Sequence, residues 1–114
     1  MTRRGWRWLF GAAASGVLVL SLLPVPAGLT VFSWQDKLEH ALAFAALALL
    51  ASLAQLGGRA ARIGGLIGYG VLIELLQGLT PHRMADPWDA LADAIGVLMG
   101  VGLGTWIERR QRPV

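Results

Sequence analysis

Four long apolar runs, separated by short polar or proline-containing stretches, set the pattern of this chain. The first covers about 6–23 and ends at Pro24-Val25-Pro26, where proline cannot continue a helical ladder. The second covers about 38–56 and stops at Gly57-Gly58, a glycine pair suited to a helix C-terminus. The third covers about 63–79, between Arg62 and Pro81, and the fourth about 90–107, running out into Arg109, Arg110 and Arg112. Each run holds roughly 17–19 residues. A helix of that length, at about 1.5 Å per residue, is about long enough to cross a bilayer core. The pattern predicts an all-α fold: one domain over 1–114, built as a membrane bundle of four transmembrane helices.

Composition agrees. The chain is 55% hydrophobic and 15% charged, with a mean hydropathy of +0.57. A soluble domain this small has too little interior to hide so much apolar surface. No cysteine is present, which excludes disulfides and thiolate metal sites. The net charge of +3 is spread between apolar runs, not gathered into a basic stripe. Nucleic acid is therefore not the expected partner; the lipid bilayer is.

The basic residues also give an orientation. Arg3, Arg4, Arg7, Arg59, Arg62, Arg109, Arg110 and Arg112 fall on one side of the four runs, and only Lys37 and Arg83 on the other. By the positive-inside rule both termini are cytoplasmic, and segments 24–37 and 80–89 face outward. Trp6 and Trp8 suit a membrane interface. Residues 1–27 also resemble a secretory signal peptide ending at Val25-Pro26-Ala27; cleavage there would leave three spans and an outside N-terminus.

Polar residues inside the runs are few and aligned. At 100° per residue Asp86, Asp89, Asp93, Gly96, Gly100 and Gly104 share one face of the fourth helix. Asp36, Glu39 and His40 share a face of the second, and Glu74 and Gln77 a face of the third. His40, Glu74 and Asp93 each lie within about two turns of the outer end of their helix, so three helices present polar groups at one level. Ionisable residues within spans are costly, point inward and mark candidate functional sites. Structural roles compete: Ser33 with Asp36 has capping-box spacing, Asp86-Pro87-Trp88-Asp89 reads as a helix start, and Lys37 suits an interface anchor. Glu74, beside Leu75 and Leu76, calls for a partner such as Arg83 or Lys37, or for a bound proton. The four-residue spacing of Gly96, Gly100 and Gly104, and of Gly64 and Gly68, predicts close helix packing.

The segments DKLEH at 36–40, IELLQGLTPHR at 73–83 and DPWDALADAIGVLMG at 86–100, with SLLP at 21–24, resemble the VanZ-like family. The resemblance covers nearly the whole chain. It implies a small multi-pass protein of the bacterial cytoplasmic membrane, in a family whose namesake is associated with low-level resistance to the glycopeptide teicoplanin. It implies no agreed reaction. The family-like positions are Asp36, Lys37, His40, Glu74, Gln77, Arg83, Asp89, Asp93 and Gly96. Asp93 stands where the family pattern usually has Asn, and Ala41 where an aromatic residue usually follows the histidine. The extra acid favours a cation or proton site over a role that needs a neutral amide.

The expected function is binding, at the outer face, of a cell-envelope component such as a lipid-linked or peptidoglycan-related group. The binding residues would be Asp36, Lys37, His40, Glu74, Gln77, Arg83, Asp89 and Asp93, with Lys37 and Arg83 meeting phosphate or carboxylate. No cofactor is expected, and a homo-oligomer stays open. One alternative is an intramembrane metal-dependent enzyme using His40 with Glu39, Glu74, Asp89 and Asp93, although no HExxH or nucleophile-elbow spacing is present. Another is a purely structural or assembly role.

Overall fold

The computed structural model describes residues 1–24, 34–81 and 85–111. The described residues form four helices: α1 (Arg3–Leu22), α2 (Gln35–Leu53), α3 (Arg59–Gly78) and α4 (Pro87–Gln111). His82, Arg83, Ser33, Arg112 and the proposed cleavage site at Val25-Pro26-Ala27 lie outside the described residues.

The helix ends follow local chemistry. Thr2 caps α1, its hydroxyl accepting from the Gly5 N–H at 3.0 Å. Asp86 does the same at the start of α4, accepting from the Trp88 N–H at 3.0 Å. The C-terminus of α2 departs from expectation. The helix stops at Leu53, not near 56, because Gln55 takes a left-handed conformation at φ 53°. The Leu56 N–H then reaches back to Ala51 O at 3.0 Å, and the Gln55 N–H to Ser52 O at 3.1 Å. This is a Schellman closure two residues before the glycine that the sequence offered for it.

The helices run alternately up and down. At one end Arg7 Nε donates to Ala54 O at 3.2 Å, and Arg62 lies 3.4 Å from Glu108. At the other end Lys37 meets Asp86 at 2.6 Å, and Gln77 Nε2 donates to Ser21 O at 2.8 Å. The described arginines and the acidic group therefore occupy opposite ends of a bundle 52 Å long.

α2 is the hub. It packs against α1, α3 and, most extensively, α4, whereas α1 and α4 do not meet among the described residues. α2 and α4 run parallel, and the glycines of α4 explain their closeness. A Cβ on Gly96 would strike Ala41 O, one on Gly100 would strike Ala45 O and Ala48 Cβ, and one on Gly104 would strike Ser52. Gly64 and Gly68, predicted to pack in the same way, instead face open space. Phe44, Leu47, Ile73 and Val97 fill the apolar core between helices.

Burial is inverted relative to a water-soluble protein. His40, Ser52, Glu74, Gln77, Asp89 and Asp93 are buried, while Leu20, Leu42, Leu72, Leu75, Leu98 and Leu103 point outward. Three helices, α1, α3 and α4, are long and apolar enough to cross a membrane. α2 is 19 residues long but carries Asp36, Lys37 and Glu39 in its first turns. Of the four transmembrane helices expected from the sequence, three meet that length and hydropathy among the described residues.

Candidate functional site at the acidic end of the bundle

Three helices bring their polar residues together. From α2, His40 Nδ1 lies 2.8 Å from Asp93 Oδ1 of α4, a buried contact. The other ring nitrogen, Nε2, is 3.7 Å from Asp89 Oδ2 and 3.8 Å from Asp36 Oδ1. Glu74 of α3 completes the group: its Oε2 accepts from the Asp86 N–H at 2.9 Å. The backbone before α4 is thereby tied to the end of α3.

Asp93 can reach α3 because of Gly70. The Asp93 carboxylate occupies the space a side chain at position 70 would need, with Oδ2 2.9 Å from the place of a Cβ. Gly70 is one helical turn before Glu74, on the same face. Sequence reasoning missed it; its i−4 spacing from an acid within an apolar run is the signal that could have found it.

Lys37 sits among carboxylates. Its Nζ is 2.6 Å from Asp86 Oδ2, 2.6 Å from Asp89 Oδ1 and 3.7 Å from Asp36 Oδ2. It pairs with these acids and not with Glu74, for which the sequence had offered Lys37, Arg83 or a bound proton. Asp86 is held in turn: the Lys37 ammonium, helped by the Trp88 N–H, keeps its carboxyl below the usual carboxylate range. The ion pairs occupy Lys37, which removes it as a ready contact for a ligand phosphate.

Gln77 behaves differently from the rest of the predicted set. Its amide nitrogen binds Ser21 O of α1, so it ties α3 to α1. Arg83, the other predicted cation, is outside the described residues. Of the eight predicted residues, Asp36, Lys37, His40, Glu74, Asp89 and Asp93 thus converge on one region, joined by Asp86.

Two overlapping triples in this region offer ligand atoms within 4.8 Å of one another: Asp36, His40 and Asp89; and His40, Glu74 and Asp93. Imidazole with carboxylates is a ligand set for a borderline or hard divalent ion. Glu74 Oε1 and Asp93 Oδ2 have no hydrogen-bond partner among the described residues, although both residues are buried.

A cleft of about 300 Å³ opens beside this group, between α1 and α2. Val17, Leu20, Ala43 and Phe44 give it apolar walls, and Ser21, Asp36, Glu39 and His40 a polar lining. A second cavity, about 510 Å³, lies among α1, α2 and α3 toward the arginine end; its lining is mostly apolar, with Phe10, Leu18, Leu66 and Tyr69.

No protein-family model, curated protein or solved structure matches the chain. The resemblance to the VanZ-like family rests on the quoted motifs alone.

Proposed function

We propose that this chain is a VanZ-like integral membrane protein that binds an amphiphilic cell-envelope component at the acidic end of its bundle. In this reading α2 crosses the bilayer with the other three helices. Both termini are cytoplasmic, and the acidic end faces outward in a bacterial cytoplasmic membrane. A role of the glycopeptide-resistance type follows from the family resemblance.

The observation that carries the reading is the cleft between α1 and α2. Its apolar walls, Val17, Leu20, Ala43 and Phe44, suit a lipid chain or another apolar body. Its polar residues, Asp36, Glu39 and His40, suit a head group bearing ammonium, amide or hydroxyl donors. The pairing of Lys37 with Asp86 and Asp89 favours such donors over a phosphate as the recognised group. A lipid-linked or peptidoglycan-related molecule has this combination of parts.

The test is native mass spectrometry of the intact protein in mild detergent. The wild type should retain an amphiphile. Ala43→Phe, which fills the cleft, and Asp36→Asn, which replaces a carboxylate oxygen by an amide donor and removes its charge, should lose most of it while melting near the wild-type temperature. A wild type that carries no adduct, or variants that carry the same adduct, would overturn the reading.

A further inference from the structure

We propose that His40, Glu74 and Asp93 hold a divalent metal ion, Mn²⁺ or Zn²⁺, between α2, α3 and α4. The inference goes beyond the cleft and does not rest on a ligand bound there.

Four observations carry it. First, one atom from each of the three side chains falls within 4.8 Å of the others, and each side chain comes from a different helix. His40 Nδ1 and Asp93 Oδ1 are 2.8 Å apart. Neighbouring ligands on an octahedral ion with bonds of about 2.1 Å stand roughly 3 Å apart, so this pair is already near ligating spacing.

Second, two oxygens of the group lack partners. Glu74 Oε1 and Asp93 Oδ2 make no hydrogen bond among the described residues, and their residues are only 7% and 1% exposed. Buried carboxylate oxygens are ordinarily satisfied, and one left unpaired in an apolar bundle is costly. A cation between the helices supplies the missing partner for both.

Third, the helices leave room for the group. Gly70 lets Asp93 enter the α3 interface beside Glu74, where a Cβ would collide with the carboxylate.

Fourth, carboxylates outnumber ammonium groups at this end among the described residues. Lys37 meets Asp36, Asp86 and Asp89, which leaves Glu74 and Asp93 with no ammonium in contact among the described residues. His40 Nε2 faces Asp36 and Asp89 at 3.8 and 3.7 Å. With Nδ1 on the ion, an Nε2 proton would point at these acids, the outer support that metal-bound histidines ordinarily have. One imidazole with two carboxylates suits Mn²⁺ or Zn²⁺ better than the all-oxygen ions.

The experiment uses the full chain in detergent, stripped with EDTA, desalted and titrated with Mn²⁺. Loss of the free-ion EPR signal reports binding, and a thermal melt is recorded with and without Mn²⁺ or Zn²⁺. The wild type should take up about one Mn²⁺ per chain and melt several degrees higher when loaded. Glu74→Gln and Asp93→Asn should each weaken uptake by at least ~10-fold and lose the metal-dependent rise in melting temperature. Ala43→Phe should bind the ion as the wild type does, which separates this site from the cleft. The wild-type comparison between stripped and loaded protein needs no variant to fold. Absence of stoichiometric uptake by the wild type, or unchanged uptake in both amide variants, would overturn the proposal. So would a wild type indifferent to both ions that is stabilised by acidification, since a proton would then be neutralising the acids.

Discussion

Asp86 ties the start of α4 to both α2 and α3. Its Oδ1 accepts from the Trp88 N–H, its Oδ2 meets Lys37, and its own N–H donates to Glu74. Because Lys37 lowers the Asp86 pKa in the folded protein, the sign of the pH effect is fixed. The contribution is complete above the ordinary carboxylate range near ~4 and is lost as pH falls through the lower folded value. Melting temperature should therefore drop on acidification below about pH 4, and Asp86→Asn should flatten that part of the curve. The pair is partly exposed, so the difference should shrink with added salt. A variant whose pH profile overlays the wild type would show that the contact adds nothing. At this scale much of the site was legible in the sequence. An acid or histidine within an apolar run must find a partner, and that requirement alone singles out His40, Glu74 and Asp93. The pairings were less legible, because helical projection gives the face of a residue and not the helix opposite. Lys37 thus pairs with Asp86 and Asp89 instead of Glu74, and Gln77 turns to Ser21 of α1.

Among the elements, the parallel pair α2 and α4 depends on side chains that are absent. Gly100 abuts the Ala45 carbonyl and Ala48, and a Cβ there would lie 2.7 Å from the Ala48 Cβ. A backbone carbonyl and a Cβ fixed to its own helix leave little to yield, so Gly100→Ala should destabilise the fold by about 1–3 kcal/mol. Gly64 on α3 meets nothing within 4 Å, and Gly64→Ala should instead stabilise by about 0.5–1 kcal/mol through lower chain entropy. Thermal or denaturant unfolding in detergent compares the two; equal losses would mean that the glycines of α4 do not set the interface. Both glycine series have the same four-residue spacing, and only the structure separates them. The spacing identifies a face that permits close approach; a partner helix has to occupy it. The end of α2 had a similar limit. Gly57-Gly58 advertised a C-cap, yet Gln55 took the left-handed position. Gln55→Gly should relieve a strain of roughly 1 kcal/mol, offset by loss of the Arg3 contact to the Gln55 side chain. The net gain should be under about 1 kcal/mol, visible as a small rise in melting temperature.

For the whole molecule, the inverted burial and the separation of charge point to the same environment. Outward leucines on α2, α3 and α4 need an apolar surround, and buried acids need partners that only a formed bundle supplies. The described arginines on α1, α3 and α4 gather at one end; their density there predicts which end stays in the cytoplasm. This is testable without competing thiols in the chain itself, because it has no cysteine. Ala85→Cys places a thiol at the acidic end, just before α4, and Arg59→Cys places one at the arginine end, where α3 begins. In intact cells a membrane-impermeant maleimide should label position 85 and spare position 59 until the membrane is opened. The reverse pattern would place the cluster of His40, Glu74 and Asp93 on the cytoplasmic side. The cleft would then open to cytoplasmic-leaflet lipids, and an envelope ligand reached from outside would no longer be tenable. Labelling of both positions in intact cells would mean that the chain inserts in two orientations. The contrast between eight and two basic residues argues against that. Exposure of position 85 alone ties the acid-rich end to the outer face, where an amphiphile from the outer leaflet could enter between α1 and α2.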